Sequence, residues 1–122
     1  MSALAFLSPP PGLAPHVDFA LEPVEAAEGL FTLTSSADPG VRLFAMDAAV
    51  VVPDYAPVLS DEQAGSLGLQ SPDDASLLVV AQLTPEGIGV NLLAPVVVNR
   101  HTARAAQVIL EGQDFPVRAL LR

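Results

Sequence analysis

A chain of 122 residues that is 51% hydrophobic has the material for one core but not the length for two, so a single domain spanning 1–122 is expected. No apolar run nears the roughly 20 residues of a bilayer-spanning helix, and Met1–Leu7 carries no Lys or Arg, so neither a membrane span nor a secretory leader is read and a cytoplasmic location is expected. The chain has no cysteine, which excludes disulfides and thiol chemistry, and its net charge of −9 argues against a phosphate-binding surface while favouring a basic protein partner or simply solubility.

Twelve prolines and eight glycines interrupt the chain too often for long helices, and the pattern is one of short strands joined by turns. Pro9-Pro10-Pro11-Gly12 opens with a rigid turn. Val17, Phe19 and Leu21 then alternate with Asp18, Ala20 and Glu22, as in a half-buried strand. Phe31 and Leu33 alternate with threonines, and the Asp38-Pro39-Gly40 turn leads into Val41, Leu43 and Ala45, so a hairpin with a Ser35–Gly40 loop is expected. Ala48 to Val52 is apolar and β-branched and predicts a strand that stops at Pro53-Asp54-Tyr55.

Ser60-Asp61-Glu62-Gln63 has the form of a capping box, with two acids where the helix dipole favours them, and Gly68 is placed to end the element. One short helix over about residues 61 to 67 is predicted. Ser71-Pro72-Asp73-Asp74 is a turn. Leu77-Leu78-Val79-Val80, apolar on both alternating faces, reads as a strand covered on both sides. The polar Thr84-Pro85-Glu86-Gly87 turn separates it from a second hairpin arm over Val90–Asn99. Two more strands are expected, one at Ala105–Leu110, where a helix is the alternative, and one at Phe115–Leu121 with Phe115, Val117, Ala119 and Leu121 on one face. Seven or eight strands with one short helix predict an all-β fold, a small β-barrel or curled antiparallel sheet, because closure removes exposed hydrophobic edges. A sandwich is the alternative.

Enzyme signatures are missing: there is no nucleophile elbow, P-loop, paired-histidine zinc helix or dinucleotide fingerprint, and Gly87-Ile88-Gly89 lacks a third glycine and precedes a strand. His16 and His101 stand far apart, without metal-ligand spacing, and read as surface residues. No catalytic, cofactor-binding or metal residue is assigned. The acidic pairs Asp61-Glu62 and Asp73-Asp74 fall in a cap and a turn, where backbone donors account for carboxylates. Tyr55 is expected to anchor in the core and keep its hydroxyl wet.

Asn91-Leu92-Leu93-Ala94-Pro95-Val96-Val97-Val98-Asn99, followed by Thr102, Gln107-Val108-Ile109-Leu110 and Arg118, resembles the most distinctive block of the FliW family of flagellar assembly factors. Pro11-Gly12-Leu13, the strand around Phe19, Phe31-x-Leu33-x-Ser35 with Asp38-Pro39, the Pro53-Asp54-Tyr55 turn and the helix before Leu67-Gly68-Leu69 follow in that family's order. The resemblance therefore covers nearly the whole chain. It implies a β-barrel-like protein without enzymatic activity or cofactor, a chaperone-like factor that binds newly made flagellin. It further implies that, once flagellin has been exported, the protein binds and antagonises the translational repressor CsrA, coupling flagellin synthesis to export. Because the chain opens almost at its proline–glycine turn, the family's first strand is expected to be missing.

The candidate protein-interaction residues are Asp54, Tyr55, Asp61, Glu62, Asp73, Asp74, Asn91, Pro95 and Asn99. Of these, the asparagines bracketing the apolar run also suit side-chain caps on a buried strand, which places binding on the acidic loops. A monomer is expected, with no direct contact to nucleic acid or membrane. Two other readings compete, a small-molecule-binding barrel and a generic assembly domain.

Overall fold

The computed structural model describes residues 2–121. The described residues form nine strands and only short helical pieces: β1 (Ser2–Phe6), β2 (Asp18–Pro23), β3 (Leu30–Ser35), β4 (Arg42–Asp47), α1 (Ala48–Val51), α2 (Asp61–Ser66), a 3₁₀ turn at Pro72–Asp74, β5 (Ala75–Thr84), β6 (Gly87–Val90), β7 (Val96–Asn99), β8 (Arg104–Gln107) and β9 (Ala119–Leu120). The sheet runs β4-β3-β2-β1-β8-β7-β5, and β5 pairs back onto β4, so these strands close a ring, with β6 and β9 as an extension from β5. Neighbours are antiparallel except β1 and β8, which run parallel through Ala5 opposite Arg104 and Phe6 opposite Ala105. This is the all-β, barrel-like fold that strand spacing predicts.

The barrel interior is filled by the inward residues of all seven ring strands, among them Leu4, Phe6, Phe19, Leu33, Ala45, Leu78, Val96 and Ala105, all buried. Phe6 and Phe19 meet edge to face with ring centres 5.3 Å apart. Two further clusters lie outside the ring. Met46, Val79, Ala81 and Val90 form one of them, near α1 and β9, and Leu67, Val97, Val108 and Leu110 form the other. β5 thus sends Leu78 into the barrel and Val79 out to the second cluster, as expected for a strand covered on both faces.

The β3–β4 hairpin keeps the expected pairing, with Thr34 opposite Arg42 across the Ser35–Gly40 loop. Helix α2 also forms as its sequence prescribes. Ser60 Oγ accepts the Gln63 N–H (3.0 Å), Gln63 Oε1 accepts the Ser60 N–H (2.9 Å), and Gly68 at φ +69° ends the helix as its left-handed C′ residue.

Four expectations are corrected. The N-terminal strand is present: β1 sits in the middle of the sheet between β2 and β8. Its inward Leu4 and Phe6 alternate only with alanines, so the polar–apolar contrast that marks a strand is lacking, and its parallel partner lies about a hundred residues away in sequence. Ala48–Val52 is not a strand but the helical turn α1, because the Asp47 carboxylate accepts the Ala49 N–H (3.0 Å) and the Val52 N–H closes onto Ala48 O (2.9 Å). This local capping overrides the β propensity of three valines.

The arm expected over Val90–Asn99 is broken into β6 and β7 by a bulge at residues 91 to 95. Of the expected Phe115–Leu121 strand only β9 forms, since Phe115 turns inward against Tyr55 while Val117 stays 64% exposed. Residues 104 to 107 are a strand, which removes the helical alternative for that segment.

Leu33→Ala, at a side chain with no exposed surface, is expected to lower the unfolding free energy by about 3 kcal/mol in urea denaturation, whereas Val117→Ala changes it by less than about 0.5 kcal/mol.

Candidate interaction surface

Between β4 and β5 the chain leaves the barrel and crosses its outer face, and this crossing segment, residues 48 to 74, carries six of the nine candidate residues. Asp54 and Tyr55 follow α1, Asp61 and Glu62 occupy the first turn of α2, and Asp73 and Asp74 lie in the 3₁₀ turn. Asp54, Asp61, Glu62 and Asp73 are exposed. Asp74 instead holds its loop together. Its Oδ2 accepts the N–H groups of Gln70 (3.0 Å) and Ser71 (3.1 Å), and its Oδ1 meets His101 Nε2 at 3.0 Å. These donors, the Gln70 amide first and His101 next, hold the Asp74 carboxyl below its ordinary value. The other histidine, His16, also has a structural role, with its Nδ1 2.8 Å from the buried Ser35 hydroxyl.

Tyr55 is half-buried. Its ring meets the edge of Phe115 at 5.0 Å and 77°, and its hydroxyl donates to Leu92 O rather than to solvent. Burial pushes the phenol from 10 up to about 12.

The three candidates of the apolar motif lie beneath the crossing segment. Asn91 Oδ1 accepts the N–H groups of Leu93 (3.0 Å) and Ala94 (3.1 Å), which folds the bulge between β6 and β7. Pro95 is buried. Asn99, only 3% exposed, donates from Nδ2 to Leu67 O (2.8 Å) at the end of α2, and its Oδ1 accepts from His101 N (2.9 Å) and Thr102 N (3.3 Å). Asn99 therefore positions the surface from below, while the Pro95 carbonyl accepts the Val108 N–H beneath it (3.0 Å).

Two depressions adjoin on this flank. The larger, about 580 Å³, lies between α2 and the start of β5, and the smaller, about 270 Å³, between α1 and the same strand; Ala75 and Leu77 of β5 line both. A third notch, near Phe44 and Leu83, holds only about 50 Å³. Sequence reasoning did not single out the residues that shape the larger cleft, Val58, Leu59 and Leu69. Two signals mark the region: an apolar stretch, Pro57–Leu59, outside any element, and a run from residue 43 to residue 99 with no Lys or Arg and seven acidic side chains. Among the described residues no group of three or more His, Asp or Glu is placed to hold a metal ion, and no helix is long and apolar enough to cross a membrane.

The architecture defines the class as a closed all-β barrel with short helices and an acidic, cleft-bearing flank. The crystal structure of the flagellar assembly factor FliW is similar across 97% of this chain and 84% of that protein, with a TM-score of 0.88 at 23% identity, a likeness of fold. The family described as FliW protein matches residues 2–121, and the chain belongs to it. Relatives include the flagellar assembly factor FliW of Pseudothermotoga lettingae, 34% identical over 115 residues (92% of this chain, 73% of that protein). The flagellar assembly factor FliW of Thermotoga neapolitana is 33% identical over 114 residues (91% and 76%).

Asn99→Ala strands Leu67 O and two backbone N–H groups and is expected to cost about 3 kcal/mol in urea denaturation. Tyr55 is the only tyrosine, so phenolate absorbance reports it alone, with a midpoint at about 12 in the folded protein and near 10 in denaturant. Because the folded state holds this proton more tightly, the Tyr55 contribution to stability is constant below pH 10 and declines as pH rises from 10 to about 12; Tyr55→Phe should abolish that decline.

Proposed function

We propose that this protein is a non-enzymatic flagellar assembly factor of the cytoplasm that binds flagellin and, when free of it, binds and antagonises the translational repressor CsrA. The observation that carries the reading is the FliW family match over residues 2–121. Charge supports it. CsrA binds RNA and must present a basic surface, which a partner of net charge −9 attracts at long range while repelling the message. Flagellin's terminal segments are poorly ordered before assembly and carry apolar seams, which an exposed apolar cleft is suited to cover. The exposed carboxylates Asp54, Asp61, Glu62 and Asp73 are the proposed contacts, with Tyr55, Asp74, Asn91, Pro95 and Asn99 holding them in place. A ligand-binding barrel gains no support, because the interior is filled by side chains such as Phe6, Phe19 and Leu33.

The test is size-exclusion chromatography with cognate flagellin and, separately, with CsrA. Co-elution with each is expected, with flagellin displacing CsrA; co-elution with neither overturns the proposal. Asp61→Asn combined with Glu62→Gln should slow CsrA association about threefold at low ionic strength, with the difference shrinking as salt is added.

A further inference from the structure

The larger cleft combines three features: apolar walls, fixed geometry and one sign of charge. Its floor is Ala75 and Leu77 of β5, and its walls come from Val58 and Leu59 on one side and Ala64 and Leu69 at α2. Apolar walls left in water are costly. Val58 is 69% exposed.

Leu59, Leu69, Ala75 and Leu77 are seated on the buried cluster of Leu67, Val97, Val108 and Leu110, and polar ties fix the rest of the rim. The Gln113 side-chain amide grips the Val58 backbone from both ends, accepting its N–H at Oε1 (2.9 Å) and donating from Nε2 to its carbonyl (2.8 Å). Gln63 Nε2 donates to Ile109 O (3.1 Å) and secures α2, a helix with no buried residue of its own. The Val58 side chain is thus fixed in an outward position by its backbone, and the cleft needs little rearrangement to accept an apolar group.

The charge around it has one sign. Asp61 lines the cleft, Glu62 is its helical neighbour, and Asp73 follows the lining residue Pro72. No Lys or Arg occurs between Arg42 and Arg100, and Arg100 lines the adjoining depression, with Asp47, not this cleft. A neutral small molecule would leave this field unanswered, and an acidic segment would be repelled by it.

We infer that the cleft between α2 and β5 is a docking site for an apolar peptide segment of a partner protein, flanked by Lys or Arg. The apolar side chains of the segment cover Leu77 and Val58, and its basic flanks face Asp61, Glu62 and Asp73. This deepens the function proposed above and rests on it in treating the chain as a protein-binding module.

The test uses fluorescein-labelled synthetic peptides, amphipathic with leucines on one face and lysines at both ends, and the same peptide with glutamates in place of the lysines. Binding to the full chain is followed by fluorescence anisotropy. The lysine-flanked peptide is expected to bind at least about tenfold more tightly than the glutamate-flanked one, with the gap closing at high salt. Ala64→Trp, which fills the cleft, should weaken the lysine-flanked peptide by about tenfold or more. Val58→Ser, at a side chain exposed enough to leave folding intact, should weaken it about threefold. Thermal melting checks that Ala64→Trp is folded, and Val58→Ser decides the matter if it is not. Equal binding of the two peptides, no binding of either, or binding unchanged by the substitutions overturns the inference. Flagellin co-elution on the unsubstituted chain is scored separately: if it holds while the peptide results fail, the docking site is wrong and the assembly role stands.

Discussion

β5 has two edges and three neighbours: the ring closes through β4 on one edge and β7 on the other, and β6 must share the second edge with β7. Over ten residues β5 gives one edge to β4, through Leu78 to Ala81, and the other first to β7, through Ala75 to Leu78, and then to β6, through Ala81 to Thr84. β6 and β7 are consecutive in the chain, so the five residues between them must leave the ladder and return to the same edge without stranding their polar groups. Asn91 N donates to Val80 O and its side chain caps Leu93 and Ala94, while Leu92 N donates to Pro116 O. Pro95 brings no donor. The carbonyls of residues 92 to 95 are taken in turn by the Tyr55 hydroxyl, Leu110 N, the Gln107 side chain and Val108 N. The motif N-L-L-A-P is the chemistry of that detour, and the tail after β8 is folded by supplying its partners.

This explains which parts of the fold were legible in the sequence. Hairpin β3–β4, helix α2 and the doubly covered β5 announce themselves through local signals: a turn, a capping box and an unbroken apolar run. The missed features depend on partners distant in sequence. β1 is a strand because β2 and β8 flank it, and the tail is irregular because Leu92, Leu93 and Val58 call on its backbone and Gln113 side chain. Ala48–Val52 misleads for a different reason: its composition is that of a strand, but β4 has given up its pairing at Asp47, and a carboxylate cap is the nearest way to satisfy the next amide.

The candidate site was legible in part. Acidic pairs in caps and turns are visible in sequence, and their first explanation, local hydrogen bonding, holds for Asp74. What sequence order hides is that the 48–74 segment lies over β5 and β7, so that residues far apart in the chain share one flank. The field of that flank is a sum. No single carboxylate dominates it, and along the stretch from residue 43 to residue 99 no Lys or Arg opposes it, Arg100 lining only the smaller depression.

Barrel and flank differ in what holds them. The ring rests on side chains with almost no exposed surface, whereas α2 has six residues, too few for independent helicity, and buries none of them. Its order comes from its capping box, the Gln63 tie to Ile109 O and the Leu67 side chain just beyond its end. Such a segment opens at lower free energy than the barrel beneath it, so it can open without disturbing the core. The two parts meet at Asn99. Its amide reaches Leu67 O on the flank while its carbonyl oxygen caps the turn from β7 into β8. The terminal asparagine of the apolar motif is therefore the point at which the stability of the barrel and the posture of the acidic flank become one quantity, and a change there is felt in both.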